Sequence, residues 1–235
     1  MKKSIIFIAV LALLTLGFTA CEKESLDKTR ITYYAAIELN GETTMVIQKG
    51  TEFKDPGFTA TMKGADVTDK VKVASNVDTS TSGVYSVNYS IANEDGFVAS
   101  AVRTVIVMDL ADPVEGFWTS TPTSFRKSSS GAIAEYGMEC SVLIIGTGNG
   151  NYHVDDLIAG WYVQRIDYPA ECAMVGDIHI DADGTITLIS ATVPYWGYKA
   201  DYLNDGLFDA DKKQITYKVS FAGMEFDVTL NKDEL

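Results

Sequence analysis

Residues 83–91, Gly-Val-Tyr-Ser-Val-Asn-Tyr-Ser-Ile, decide the fold class of this chain. Apolar and aromatic side chains alternate there with polar ones at every second position, as Tyr85, Val87, Tyr89 and Ile91. This period of two predicts a β-strand with one face in a core and the other in solvent. Between residues 31 and 109 no stripe with the periodicity of an amphipathic helix appears. The sequence therefore predicts an all-β protein.

Turn signals surround this predicted strand. Gly83 precedes it, and Asp95-Gly96 follows it as a hairpin turn. Upstream, Asp55-Pro56-Gly57 is typical of a turn, because proline presets its own φ and glycine adopts positive φ at little cost. Short strands separated by turns at this spacing are typical of a small β-sandwich. We therefore predict that residues 31–110 form such a sandwich.

Several blocks in this region resemble bacterial Ig-like domains in their order and spacing. They are Gly50–Gly57, Asp66–Thr68, Val77–Thr79, Gly83–Tyr89 and Arg103–Val105. The resemblance covers roughly residues 36–108. It implies an immunoglobulin-like sandwich without a core disulfide, which serves as a spacer or binding module and contributes no catalytic residue.

The second half of the chain continues the β pattern after a short joint, Leu110-Ala111-Asp112-Pro113. Asp183-Gly184 lies between two apolar stretches and predicts a hairpin. Alternating residues on both sides of Gly223 predict another pair of strands. A meander of this kind has to protect its edges. We therefore expect residues 114–235 to form an antiparallel β-barrel or a closed sandwich.

The N-terminus has the features of an exported protein. Met1-Lys2-Lys3 precedes an apolar run over residues 4–20, which predicts a secretory signal peptide of residues 1–20. Phe18-Thr19-Ala20-Cys21 resembles a bacterial lipobox. The resemblance implies that Cys21 is the lipidated N-terminus of the mature protein, that residues 21–30 are a tether, and that the lipid anchors the protein in the outer membrane. Cell-surface and periplasmic orientations both stay open.

Charge and composition limit the classes of partner. The chain has 32 acidic and 19 basic residues and a net charge of −13. A surface of this sign repels phosphate backbones, so nucleic acid is not an expected partner. The cysteines and two histidines lack the spacing of a metal site, so we predict no metal and no cofactor. No nucleophile motif accompanies either histidine, and a non-enzymatic protein is expected.

Two cysteines remain beside Cys21. In an export compartment Cys140 and Cys172 could form a disulfide, which would close a loop of about 32 residues and stabilise by roughly 3–4 kcal/mol. The alternative is a pair of buried free thiols, since cysteine is often a small core residue.

Two aromatic clusters are the candidate binding residues: Trp161 and Tyr162, and Tyr195, Trp196 and Tyr198. Each cluster lies beside glycine or proline. Pro194 cannot donate a ladder hydrogen bond, so we predict that a connection begins there. Aromatic rings in loops can stack on sugar rings, and we expect the two clusters to form one exposed platform. The alternative is ordinary core packing.

The two-domain arrangement resembles a Bacteroidetes outer-membrane lipoprotein family of unknown function. Asn151–Leu157, Gly160–Tyr162 and Trp196-Gly197 resemble its β-rich C-terminal half. Its members are associated with polysaccharide-utilisation systems. The resemblance implies a non-catalytic glycan-binding accessory protein, with a polysaccharide as ligand and outer-membrane transport or binding proteins as partners. The alternative is a structural or protein-partner module that uses the Ig-like domain as a stalk or docking surface.

Overall fold

The computed structural model describes residues 31–234. The predicted signal peptide, Cys21 and the tether lie outside the described residues. Within residues 31–234 there is no helix of the length and apolar character that crossing a membrane requires.

The first half of the described chain contains seven strands and one short 3-10 turn at Thr68–Lys70. The strands are β1 (Ala35–Leu39), β2 (Thr44–Gln48), β3 (Phe58–Met62), β4 (Ala65–Asp66), β5 (Lys72–Ser75), β6 (Gly83–Ala92) and β7 (Val98–Met108). One sheet has the order β1-β3-β4, and the other has the order β2-β7-β6-β5. All neighbours are antiparallel except β2 and β7, which run parallel. The predicted immunoglobulin-like sandwich is confirmed.

The stretch that decided the fold class is strand β6. Its inward residues Val87 and Tyr89 are fully buried, whereas Asn88 between them is exposed. They form a core with Val105 and Val107 of β7. The hydroxyl of Tyr89 donates to Asp55 Oδ2 over 2.6 Å, which ties the Asp-Pro-Gly turn to this core.

A buried arginine completes that attachment. Arg103 has no exposed surface, and its Nη2 donates to the carbonyl oxygens of Asn40 and Gly57 at 2.9 and 3.0 Å. Its Nε lies 3.2 Å from Asp55 Oδ1. A charge taken out of water is tolerated only when it is paired and hydrogen-bonded. These contacts meet that requirement and fix the turn against strand β7.

The second half contains eleven strands and a 3-10 turn at Ala170–Cys172. The strands are β8 (Gly116–Ser120), β9 (Phe125–Lys127), β10 (Ile133–Glu135), β11 (Ser141–Gly148), β12 (Asn151–Val154), β13 (Val175–Ile180), β14 (Ile186–Val193), β15 (Tyr198–Lys199), β16 (Tyr202–Asp209), β17 (Gln214–Phe221) and β18 (Met224–Lys232).

These strands form one curled antiparallel sheet. Its order is β10-β9-β18-β8-β11-β12-β13-β14-β15, and β17 pairs with both β18 and β16. Strand β16 approaches β14 through one isolated bridge, Thr185 with Leu207, beside a 2.8 Å hydrogen bond from Phe208 N–H to Gly184 O. A continuous ladder is therefore missing at this seam. Of the two predicted alternatives, the structure is sandwich-like and is not a fully hydrogen-bonded barrel.

The two halves meet through an apolar cluster and one carboxylate. Ile106 and Met108 at the end of β7 pack with Ile145 of the second half. Glu115 accepts hydrogen bonds from Ser82 Oγ at 3.1 Å and from Asp109 N–H at 2.9 Å, and burial raises the pKa of its carboxyl. The halves are therefore packed on each other. The division into domains of residues 31–110 and 114–235 stays a prediction.

Candidate functional site

The turn between β14 and β15 carries the most exposed aromatic cluster of the second half. Tyr195 is 61% exposed, Trp196 36% and Tyr198 52%. The N–H of Gly197 bonds to Val193 O at 2.9 Å, and Gly197 has a φ of 68°, which glycine adopts without steric cost. Strand β14 ends at Val193, directly before Pro194, as the missing donor of proline predicts.

Three exposed rings converge on this turn, and we call Tyr168, Tyr195 and Trp196 the aromatic platform. The Trp196 ring lies 5.6 Å from Tyr195 and 6.3 Å from Tyr168, both in edge-on geometry. Tyr168, which we did not predict as a site residue, is 45% exposed and stacks on Tyr162 at 5.8 Å with an interplanar angle of 16°. Tyr198 contacts Phe221 at 6.4 Å and lies beside the platform.

Contrary to the prediction, Trp161 and Tyr162 do not extend this exposed aromatic surface. Trp161 is 1% exposed and lies between the rings of Tyr136 and Phe226, at 5.0 and 6.0 Å. The prediction that it completes an exposed platform is wrong. Tyr162 is 8% exposed, and its ring supports Trp196 from below at 5.0 Å. Tyr162 therefore braces the platform and offers little surface of its own.

Asp156 holds the loop that leads to Trp161. Its Oδ1 accepts the N–H groups of Ile158 and Met174 at 3.0 and 2.9 Å, and its Oδ2 accepts that of Gly160 at 2.9 Å. These bonds draw the backbone of residues 156–160 into the interior, so Trp161 enters the core. Burial raises the pKa of the Asp156 carboxyl to about 6, against the lowering effect of the three N–H groups.

The loop at Gly160 also accounts for the burial of Cys140. Gly160 has a φ of 77°, and a Cβ there would lie 2.5 Å from the Cβ of Cys140. Only glycine allows this approach, and it covers the Cys140 thiol. Cys140 and Cys172 are both buried and free, so of the two open alternatives the structure has the pair of buried thiols. Burial raises the pKa of Cys140.

Two arginines flank the buried tryptophan under the platform. The guanidinium carbons of Arg165 and Arg126 lie 4.1 and 5.0 Å from the Trp161 ring centroid. Arg165 Nε donates to Tyr136 O at 2.9 Å. Among the described residues no carboxylate lies within ion-pair distance of either arginine. No local sequence signal predicts this pair, because the two residues are brought together only by the fold.

Met224 links Arg126 to the platform. Its sulfur lies 4.0 Å from Arg126 Nη1 and 3.6 Å from the hydroxyl of Tyr162. Burial raises the pKa of the Tyr162 phenol, and the nearby Arg126 opposes that shift. The platform therefore has a positive charge directly behind its supporting ring.

Among residues 31–234, no three His, Cys, Asp or Glu side chains are grouped so that they could hold a metal ion. What the site offers a ligand is aromatic surface with guanidinium groups behind it.

The chain is similar to a solved bacterial lipoprotein over most of its length. The crystal structure of the lipoprotein BT2262 from Bacteroides thetaiotaomicron is 32% identical, covers 85% of this chain and 100% of that chain, and superimposes with a TM-score of 0.73. No curated protein sequence matches the chain.

Two structures of ZmpB from Clostridium perfringens give weaker matches. CBM51-2 in complex with GlcNAc, with INT domains, is 13% identical over 86% of this chain and 44% of that chain, with a TM-score of 0.27. The M60 catalytic domain with CBM51-1 and CBM51-2 is 14% identical over 85% and 21%, with a TM-score of 0.28. At these TM-scores neither match shows a shared fold.

Family models match both halves. Residues 37–107 match the Ig-like domain of bacterial surface proteins, and residues 107–232 match a C-terminal domain model. The predicted resemblance to a Bacteroidetes lipoprotein with an Ig-like domain and a β-rich C-terminal domain is confirmed. The chain belongs to the family of the Bacteroides thetaiotaomicron lipoprotein BT2262, with a bacterial surface Ig-like domain ahead of its C-terminal domain.

Proposed function

We propose that this protein is a non-catalytic glycan-binding lipoprotein of the outer-membrane surface and an accessory of a polysaccharide-utilisation system. The observation that carries the proposal is the aromatic platform of Tyr168, Tyr195 and Trp196. All three rings are at least one-third exposed, in a protein whose other tryptophans are fully buried.

The geometry of the platform suits a sugar ring. An aromatic face is flat and apolar, and the tyrosine hydroxyls and the indole N–H supply hydrogen bonds at its rim. Because Tyr162 and Tyr168 hold the Trp196 ring at 5.0 and 6.3 Å, little side-chain entropy is lost on binding. A site of this kind binds with micromolar to millimolar Kd, about −8 to −4 kcal/mol.

The proposed location rests on two likenesses. The similar solved protein is a lipoprotein, and the first half matches an Ig-like domain of bacterial surface proteins. Both are consistent with a surface location. In the proposal the lipid on Cys21 inserts into the outer membrane, and the partners are a polysaccharide and outer-membrane transport or binding proteins.

Affinity electrophoresis with a broad polysaccharide panel tests the proposal. Trp196→Ala should abolish the retention of the protein by its ligand, because it removes the central ring of the platform. The matched control is Tyr34→Ala, which removes a ring that is 62% exposed and pairs with Phe97 at 5.5 Å in the Ig-like half. This control should bind as the wild type does.

Two results would contradict the proposal. If the wild-type protein binds no polysaccharide of the panel, the alternative of a structural or protein-partner module replaces it. If the bound polysaccharide is shortened on prolonged incubation, the non-catalytic role is wrong.

A further inference from the structure

We propose that the glycan bound by the platform is anionic, and that Arg126 binds its carboxylate or sulfate group. This inference rests on the proposed function and names the chemical class of its ligand. It is carried by the position of Arg126 and by the absence of a described carboxylate beside it.

Arg126 occupies a position that normally holds an apolar side chain. In the sheet it lies opposite Phe226 of β18 and Ala134 of β10. Directly opposed residues of neighbouring strands point to the same face. Phe226 is completely buried and packs on Trp161. Arg126 therefore points toward the interior at the end of the sheet that carries the platform.

A guanidinium in such a place requires compensation, because transfer of a charge out of water costs several kcal/mol. The Trp161 ring at 5.0 Å supplies part of it through a cation–π contact. The Nε atom of Arg126 is buried and has no hydrogen-bond partner. Arg165 adds a second positive charge at 4.1 Å from the same ring. Within residues 31–234, neither positive charge therefore has a carboxylate within ion-pair distance.

The acidic composition of the chain makes the missing carboxylate partner of Arg126 informative. With 32 acidic and 19 basic residues, carboxylates are abundant in the chain. Arg103, which is completely buried, has Asp55 at 3.2 Å as its partner. Arg126 is partly exposed and is not neutralised in this way. An anion from outside the chain would supply what Arg103 obtains from Asp55.

The surroundings of Arg126 place such an anion next to a stacked sugar. Met224 contacts both Arg126 Nη1 and the hydroxyl of Tyr162, and Tyr162 supports Trp196. A sugar stacked on Trp196 could therefore extend its charged substituent, or its next residue, past Met224. Arginine is suited to this contact because its planar donors match a carboxylate or sulfate bidentately.

The experiment compares charged and neutralised forms of the same polysaccharides. Each uronate polymer is tested before and after methyl esterification, and each sulfated polymer before and after desulfation. We expect the wild type to bind at least one charged form at least tenfold more tightly than its neutral form. Arg126→Gln should lose this preference and keep the binding of the neutral form.

The control variant is Lys63→Gln, which removes another positive charge that lies over an aromatic ring, Tyr33, at 4.5 Å in the Ig-like half. It should keep the preference for the charged form. If Arg126→Gln does not fold, the salt dependence of the wild type decides the matter. Binding of the charged form should weaken with rising salt while that of the neutral form stays constant, because salt screens charge–charge attraction.

Three results overturn the inference. Equal affinity for charged and neutral forms would remove the anionic preference and leave the proposed function intact. Binding of poly-glutamate as tight as that of the anionic polysaccharides would assign the site to acidic polypeptides. Failure of the wild type to bind any form of any polysaccharide would overturn the proposed function as well.

Discussion

Two aromatic pairs of this chain have similar sequence surroundings and opposite positions in the structure. Trp161-Tyr162 follows Gly160, and Tyr195-Trp196 precedes Gly197. Trp161 is 1% exposed and Tyr195 is 61% exposed. Glycine neighbours therefore indicate that the chain turns at both places, but they do not indicate to which side the rings point.

The polar groups around each turn account for the difference. Before the first pair, Asp156 collects three backbone N–H groups inside the protein. At the second pair the hydrogen bonds join backbone to backbone, from Tyr195 N–H to Glu171 O and from Gly197 N–H to Val193 O. Among residues 31–234, no buried side chain accepts hydrogen bonds from the backbone N–H groups of Tyr195 and Gly197. In this chain, the aromatic pair that enters the core is the one that follows a buried acceptor of backbone N–H groups.

The largest effect should come from removing that acceptor. Asp156→Ala leaves three buried N–H groups without partners, and each unpaired group costs about 1–3 kcal/mol. We expect the free energy of unfolding to fall by at least about 3 kcal/mol in denaturant titrations at about pH 4, where the contribution of Asp156 is complete. The fluorescence of the buried Trp161 should shift to the red as the loop opens. An unchanged stability would show that the loop is held by ring packing alone.

The next prediction compares the stability lost when the tryptophan of each aromatic pair is removed. Trp161→Ala should cost about 3–5 kcal/mol, because it leaves a large cavity between Tyr136 and Phe226. Trp196→Ala should cost less, about 1–2 kcal/mol, since the side chain is 36% exposed and loses only part of its packing. Thermal unfolding of both variants side by side measures the contrast. Similar losses would mean that Trp196 is also a structural residue.

The third effect depends on pH. The pKa of Asp156 is raised to about 6 in the folded protein from 3.8. The unfolded chain therefore ionises first, and the contribution of Asp156 to stability is complete below about pH 4 and is lost as pH rises to about 6. One pKa unit corresponds to 1.36 kcal/mol, so the change is about 3 kcal/mol.

The control for this pH dependence is Asp156→Asn, which cannot titrate. The stability difference between wild type and variant, measured from pH 4 to pH 7, removes the contributions of the other carboxyl groups. The variant itself should be less stable near neutral pH, since its amide NH2 faces one of the three N–H donors. A stability difference that does not vary with pH would contradict the raised pKa.

The smallest effect concerns the cysteines beside the first pair. Because Cys140 and Cys172 are free, a reductant should leave Tm unchanged. A bridge over this loop would contribute roughly 3–4 kcal/mol, and its loss would lower Tm by several degrees. Alkylation of the unfolded protein without reductant, read by mass spectrometry, should label both thiols. A mass that shows no labelling of either would reveal a disulfide.

Much of the fold could be predicted because its signals are local. The alternation in residues 83–91 corresponds to β6, and the alternation around Gly223 corresponds to β17 and β18. The choice between barrel and sandwich was not predictable. It depends on whether β14 and β16 form a ladder, and in place of a ladder the structure has an isolated bridge of Thr185 with Leu207 beside the hydrogen bond from Phe208 N–H to Gly184 O.

The site was predictable to a smaller extent. Pro194 correctly marked the start of an exposed turn, because the missing N–H of proline is a local property. The burial of Trp161 was missed, although Asp155-Asp156 ahead of Gly160 is a signal for a side chain that caps backbone N–H groups. Arg126 could not be found, because only the pairing of β9 with β18 brings it to the platform.

The parallel pair β2 and β7 has a mechanical consequence. Five residue pairs, from Thr44 with Thr104 to Gln48 with Met108, join the two strands in register. The chain enters β2 at its first residue and leaves β7 at its last, toward the second half. A pull between the N-terminal side and a ligand held by the second half, once it has passed β1, therefore acts along both strands in opposite directions. It loads all five pairs in shear together, so they resist as a unit and cannot be peeled apart one by one.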